Sequence, residues 1–206
     1  MKKERKTERR RQEDEKKQAV RKEVVSWIRM FAIVIAVVLV LTNFIIINAT
    51  IPSGSMENTI MTKDRLIGFR FSYWFAKPER GDIILFQYPV NEKEIYIKRV
   101  IGLPGETVEI REGTVYIDGT PLQEDYLKEE WVVNNDGYVF EVPEGCYFAM
   151  GDNRNNSEDG RRWAEIALET GVAATPEEAE QYSFVKFDEI KGKAIFTYYS
   201  SIRMLK

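Results

Sequence analysis

This sequence predicts a mainly β fold: an N-terminal transmembrane helix, then an all-β domain with a small helical insertion. Three observations predict it. The chain from Trp27 to Ile47 is almost wholly apolar, which suits a spanning helix of about 20 residues. Beyond it, short runs rich in β-branched and aromatic residues alternate with Gly, Pro, Asn and Asp turn signals, the mark of an all-β domain. Only residues 163–182 break that alternation, and they read as the helical insertion.

The elements follow in chain order. Residues 1–23 hold eleven Lys/Arg against six Asp/Glu, so the remainder of this chain of net charge −3 carries −8. With hardly an apolar residue, this segment has nothing to bury and is expected to be disordered or a solvated extension of the helix, attracted to anionic lipid. Residues 24–48 are expected to be the anchor. Arg29 lies near its start, where a long cationic side chain snorkels to the headgroups. The basic segment should stay cytoplasmic, which sends residues 49–206 to the outer side. The apolar run is longer than the h-region of a secretory signal, about 7–15 residues, and the charge asymmetry around it does not suit a buried core helix.

In the outer domain the expected strands begin with Arg65 to Phe69, Asp82 to Tyr88 and Glu94 to Gly102. Val108 to Arg111 and Thr114 to Ile117 flank Glu112-Gly113, a two-residue hairpin signal, and Asp118-Gly119 marks the next turn. Tyr138 to Val142, Cys146 to Met150 and Lys193 to Tyr199 complete the set. Within the insertion, Thr175-Pro176-Glu177-Glu178 combines an N-cap, a proline at the first helical position and a capping-box glutamate. A helix is expected from Pro176. The aromatic stretch Phe69 to Phe75 fits either a core strand or a surface that dips into headgroups.

Composition restricts the chemistry. The chain has no histidine, which excludes Ser-His-Asp hydrolases, Cys-His enzymes and His-Glu-x-x-His zinc proteases together. Its single cysteine, Cys146, excludes an intrachain disulfide and a multi-cysteine metal site. A serine nucleophile in such a chain would need a lysine base. Free lysine titrates near about 10.4, so burial must lower its pKa by about two or three units. Lys98 lies inside the apolar run Ile95 to Gly102, on one strand face with Tyr96 and Val100 and opposite Arg99. Taken singly, Lys98 or Arg99 also fits a solvated strand face, Ser53 and Ser55 fit a loop, and Gly151 to Arg161 fits a polar or ion-binding loop.

Together, Pro52-Ser53-Gly54-Ser55-Met56, Gly81 to Phe86, Tyr96 to Glu106 and Gly151-Asp152-Asn153-Arg154-Asn155-Asn156-Ser157 resemble the ordered boxes of bacterial type I signal peptidases. The resemblance runs from the anchor to the last strand and implies a membrane-bound serine endopeptidase with a Ser-Lys dyad. It implies that Ser55 is the nucleophile and Lys98 the general base. Ser53 matches the side-chain oxyanion donor, beside the Ser55 N–H, and Ser157 the hydroxyl that orients the amine. Asp152 with Arg154, and Asp159 with Arg161, match bracing positions, and Arg99 is a further structural support. Ile51, Met56, Ile60, Tyr96 and Ile97 are expected to wall shallow apolar substrate pockets.

Implied partners are secreted preproteins and the lipid bilayer. No nucleic acid, metal or organic cofactor is expected. The sequence departs from the family pattern where Asn58 replaces a frequent proline and Gly160 a common serine, and where residues 164–181 are inserted before the closing strands.

Overall fold

The computed structural model describes residues 2–198 and 202–205, with side chains from Lys16 onward. It divides into two units, the first through Ile45 and the second from Ile46.

The first unit is a helix, α1 (Lys2–Val40), which continues as a π-helical turn over Leu41–Ile45. The charged N-terminal segment is therefore helical backbone from Lys2. Lys16–Ile45 is the one helix among the described residues long and apolar enough to cross a membrane, and none of its most apolar stretch is buried. Its two polar interruptions satisfy themselves locally. Thr42 Oγ1 donates to Val38 O at 2.8 Å and Asn43 Nδ2 to Leu39 O at 2.7 Å, which spares an apolar surrounding an unpaired donor.

In the second unit, the first strand lies inside the stretch assigned above to the anchor. β1 (Ile46–Thr50) pairs antiparallel with β2 (Arg65–Phe69), Ile47 opposite Gly68. Residues 46–48 are thus strand and not helix. A strand so rich in isoleucine is as apolar as a spanning helix, and hydropathy cannot separate the two.

β3 (Ile83–Tyr88) and the twelve-residue β4 (Asn91–Gly102) form a long hairpin. β5 (Thr107–Arg111) and β6 (Thr114–Ile117) turn on Glu112 and Gly113, at φ 46° and 76°, and are followed by β7 (Thr120–Pro121). β8 (Tyr138–Glu141) and β9 (Cys146–Met150) lead to the insertion, which holds α2 (Trp163–Glu169) and α3 (Pro176–Glu180). Thr175 caps α3 by accepting from Glu178 N–H, as its sequence indicates. β10 (Val185–Lys186), β11 (Ile190–Thr197) and β12 (Arg203–Met204) close the chain.

These strands make two sheets among the described residues. The larger has the order β1-β2-β11-β3-β4-β9-β10, with β12 on β11, and the smaller the order β7-β6-β5-β8. The domain is accordingly mainly β with a small helical insertion.

Alternation along β3 and β4 divides the core. Ile84, Phe86, Val100, Tyr147 and Trp163 pack in one cluster, while Ile51, Met56, Ile60, Leu66, Ile83 and Leu85 pack in another. A third cluster joins the sheets through Ile101, Val108, Phe148, Met150 and Trp131. The aromatic stretch after β2 splits between its two expected roles: Tyr73 packs on the core, while Trp74 and Phe75 are exposed.

β4 pairs with β9 only from Arg99 onward, in register with Met150. Ahead of Arg99, among the described residues, it pairs with β3 alone. Lys98 therefore sits where one edge of the strand opens, and the polar loop after β9 starts beside it.

Candidate active site

After β1 the chain turns through Ile51 to Ile60, closed by Ile51 N–H to Asp64 O at 2.9 Å and Ile60 N–H to Met56 O at 2.8 Å. Burial of Ile51, Met56 and Ile60 pins this turn to the core. Ser55 is thereby held against β4. Lys98 Nζ donates to Ser55 Oγ at 2.8 Å and to Ile97 O at 3.2 Å.

Lys98 is 4% exposed and has no carboxylate within 4 Å among the described residues. Its amine is desolvated without the partner that normally offsets the cost. Burial, opposed by the more distant carboxylates of Asp159, Glu158 and Asp152 and assisted by Arg161, lowers its pKa to about 8. Near that pH about half the amines are neutral, against under about 1% for a free lysine.

Ser53 Oγ lies 3.4 Å from Ser55 Oγ at the exposed side of the turn. The Ser55 N–H donates no hydrogen bond within the described structure. An unengaged backbone donor and a neighbouring hydroxyl are the kinds of group that stabilise a developing oxyanion.

The loop after β9 locks this arrangement. Asn153 N–H donates to Ser55 O at 3.0 Å and Asn153 Nδ2 to Gly54 O at 2.9 Å. Gly151 fits between the two segments because it has no side chain: a Cβ there would come within 2.2 Å of Ser157 Oγ and 2.5 Å of Ser55 O. Ser157 is thus packed at the site, but its Oγ is buried without a hydrogen-bond partner, and Lys98 does not donate to it. The structure shows no hydrogen bond between Ser157 Oγ and the amine.

Of the two expected bracing pairs, one forms and one does not. Asp159 does receive Arg161, with Nε to Oδ1 at 2.7 Å and Nη2 to Oδ2 at 2.9 Å. Burial opposes ionisation of Asp159, but the Arg161 guanidinium and the Gly151 N–H outweigh it and hold the carboxyl below its ordinary range. Asp152, however, pairs with Arg99 of β4, Nη2 to Oδ2 at 2.7 Å and Nε to Oδ1 at 2.9 Å. Arg154 turns to Glu124, Nη1 to Oε2 at 2.9 Å. The reason is the short 3-10 turn Arg154–Asn156 after Asn153, which points Arg154 away from its near neighbour.

Residues 124–134, irregular in structure, form a strap over this loop. Lys128 pairs with Glu57 at 2.8 Å, and the centroid of the Trp131 ring lies 5.0 and 5.1 Å from the guanidinium carbons of Arg154 and Arg161. Asn58 fastens the strap to the nucleophile turn, its Nδ2 donating to Tyr126 O at 3.1 Å and Leu127 O at 3.3 Å. Asn58 has φ of 90°. Proline, confined near about −65°, cannot stand there, so the departure from proline reflects a differently built turn. Glu124, Asn153 and the strap escaped sequence reasoning. The amide of Asn153 inside a polar run was the one available signal.

Of the expected pocket walls, Met56 and Ile60 are wholly buried and Ile51 nearly so. They support the site from beneath and offer little surface to a ligand. Tyr96 and Ile97 stay half-buried and keep some exposed surface. Gly160 has its own explanation: a Cβ there would lie 2.8 Å from Ser183 O and 2.7 Å from Phe148 Cε2. Ser183, just past the insertion, and Phe148 of β9 occupy the space that a serine side chain would need.

Comparison with known proteins places relatives beside this chain. A family profile described as signal peptidase, peptidase S26, matches residues 24–199. A probable signal peptidase I-1 of Synechocystis sp. is 45% identical over 141 residues, covering 65% of this chain and 70% of that protein. A signal peptidase I of Bacillus licheniformis is 32% identical over 187 residues, covering 86% of this chain and 97% of that one. A crystal structure of a signal peptidase I from Enterococcus faecalis, 38% identical, covers 57% of this chain and 97% of its own with a TM-score of 0.42.

Proposed function

This chain belongs to the signal peptidase family, peptidase S26, and on that footing we propose that it is a membrane-anchored serine endopeptidase that removes signal peptides from secreted preproteins. Ser55 is the nucleophile and Lys98 the general base. The observation that carries this reading is the 2.8 Å contact between Ser55 Oγ and a lysine amine that is buried and unpaired.

In the neutral form of Lys98 the hydrogen bond reverses, and Ser55 O–H donates to the Nζ lone pair. The amine takes this proton as Oγ attacks the scissile carbonyl, whose oxygen is received by the Ser55 N–H and the Ser53 hydroxyl. The C–N bond then breaks, and Lys98 returns the proton to the departing amine. Water, deprotonated by the same lysine, hydrolyses the acyl-enzyme. The open edge of β4 ahead of Arg99 suits an extended peptide, which would pair with the strand backbone and place small side chains against Tyr96 and Ile97.

Lys16–Ile45 anchors the chain, with the basic segment cytoplasmic and the β domain outside. Holding enzyme and preprotein at one surface raises their effective concentration. Exposed Trp74 and Phe75 suit the headgroup region. The test is preprotein cleavage by the full chain. Ser55→Ala and Lys98→Met should each lose activity by about 10⁴-fold or more, and substantial turnover in either variant refutes the assignment.

A further inference from the structure

One acidic side chain beside the dyad has no part in the mechanism above. Glu158 is exposed, immediately follows Ser157, and accepts from Tyr96 O–H at 3.1 Å. The same Tyr96 ring has the Lys98 ammonium nitrogen 5.3 Å from its centroid. One ring therefore joins the carboxylate to the base.

The ring itself is fixed from behind. Tyr96 stacks on Tyr88 with centroids 4.2 Å apart and planes 4° from parallel, and Trp163 of α2 meets it edge-on at 6.4 Å. Trp163 is wholly buried. The insertion thus places an aromatic buttress against the ring that holds Glu158.

The other charges around Lys98 are cancelled in pairs. Asp152 is neutralised by Arg99 and Asp159 by Arg161, both pairs buried. Glu158 has no cation within 4 Å among the described residues. Of the three carboxylates whose charge acts on the amine, Asp159, Glu158 and Asp152, only Glu158 lacks a cation within 4 Å among the described residues. Burial and the Glu158 charge also push the Tyr96 hydroxyl well above its ordinary range, so it remains a donor to the carboxylate.

We propose that Glu158 is a positioning residue for Lys98: held by the Tyr96 hydroxyl on a ring buttressed by the insertion, its charge sets the pH range in which the amine acts as a base. The sign follows from electrostatics. A nearby anion favours the ammonium form, so Glu158 keeps the acidic limb of activity higher than burial alone would set it. Removing the charge releases the neutral amine at lower pH. This inference rests on the Ser55–Lys98 reading.

The experiment is the pH profile of kcat/KM for full-length protein in detergent, with a preprotein substrate, at low and high salt. Glu158→Gln should move the acidic limb down by about half a pH unit at low salt. The shift should shrink at about 1 M salt, because the carboxylate is exposed and screened. Tyr96→Phe, which frees the carboxylate, should move the limb in the same direction by less. Glu158→Asp should retain the limb near its original place. Glu165→Gln, which removes an exposed charge elsewhere on α2, should leave it unmoved.

An active wild-type enzyme whose profile superimposes on that of Glu158→Gln overturns this inference and leaves the dyad standing. A shift reproduced by Glu165→Gln, or one insensitive to salt, also overturns it. A wild-type chain that cleaves nothing overturns both readings.

Discussion

The two faces of β4 bury adjacent cations in opposite ways. Arg99 is 2% exposed and fully paired: Asp152 takes two of its N–H groups, Gly81 O accepts a third at 2.8 Å, and the Tyr126 ring lies 4.0 Å from its guanidinium carbon. Lys98, as deeply buried, has a serine hydroxyl and a carbonyl. A guanidinium stays charged wherever it is put and so must be paired, whereas an ammonium can shed its proton. One face uses a buried charge to hold the loop after β9 against the sheet. The other leaves a charge unsatisfied, and the deficit is what makes it a base.

The comparison breaks if the two cations respond alike to removal. Arg99→Met should strip a wholly buried carboxylate of its partner and destabilise the domain by about 3–5 kcal/mol, seen as a lower urea midpoint. Lys98→Met should do the reverse. A folded-state pKa of about 8 against 10.5 means that protonating the amine at neutral pH opposes folding by about 3 kcal/mol. Replacing it should therefore raise stability by about 2–3 kcal/mol at pH 7 while ending activity.

The pH dependence sharpens the contrast. Between pH 8 and 10.5 the unfolded chain holds more protons on Lys98 than the folded one, so stability should climb with pH there, and Lys98→Met should abolish the climb. Asp159 acts at the other end. Its folded carboxyl lies below the ordinary range, so its contribution is present at neutral pH and is lost as pH falls below about 4. Urea titrations across pH for the wild type and Lys98→Met separate the two.

The smallest effect concerns the insertion. Gly160→Ser restores the residue that the family pattern commonly has, but in this chain it drives a side chain into Ser183 O and Phe148. It should destabilise by about 1–3 kcal/mol, measured by thermal unfolding. A neutral result would mean that Ser183 and Phe148 yield easily.

The sequence was informative where chemistry and periodicity coincide. Strand alternation put Lys98 and Arg99 on opposite faces, turn residues located the β5–β6 hairpin, and Thr175-Pro176 marked the start of α3. It was silent where distant segments choose partners. Asp152 and Arg154 stand two apart and read as a pair, yet a single 3-10 turn sends Arg154 to Glu124 and brings Asp152 to Arg99. Isoleucines conceal β1 at the end of an apolar helix. The strap that carries Glu124, Tyr126, Lys128 and Trp131 has neither period nor motif, and its role emerges only from the side chains it meets.

The proposed reaction depends on the protonation of one amine, which can be observed directly by following the lysine side-chain resonances of the full chain in micelles, with Lys98→Met to assign the signal. A Lys98 midpoint near the value of about 8 that its burial implies is the predicted result. A midpoint at or above the ordinary lysine value, near about 10.4, would contradict it and remove the base from the proposed reaction.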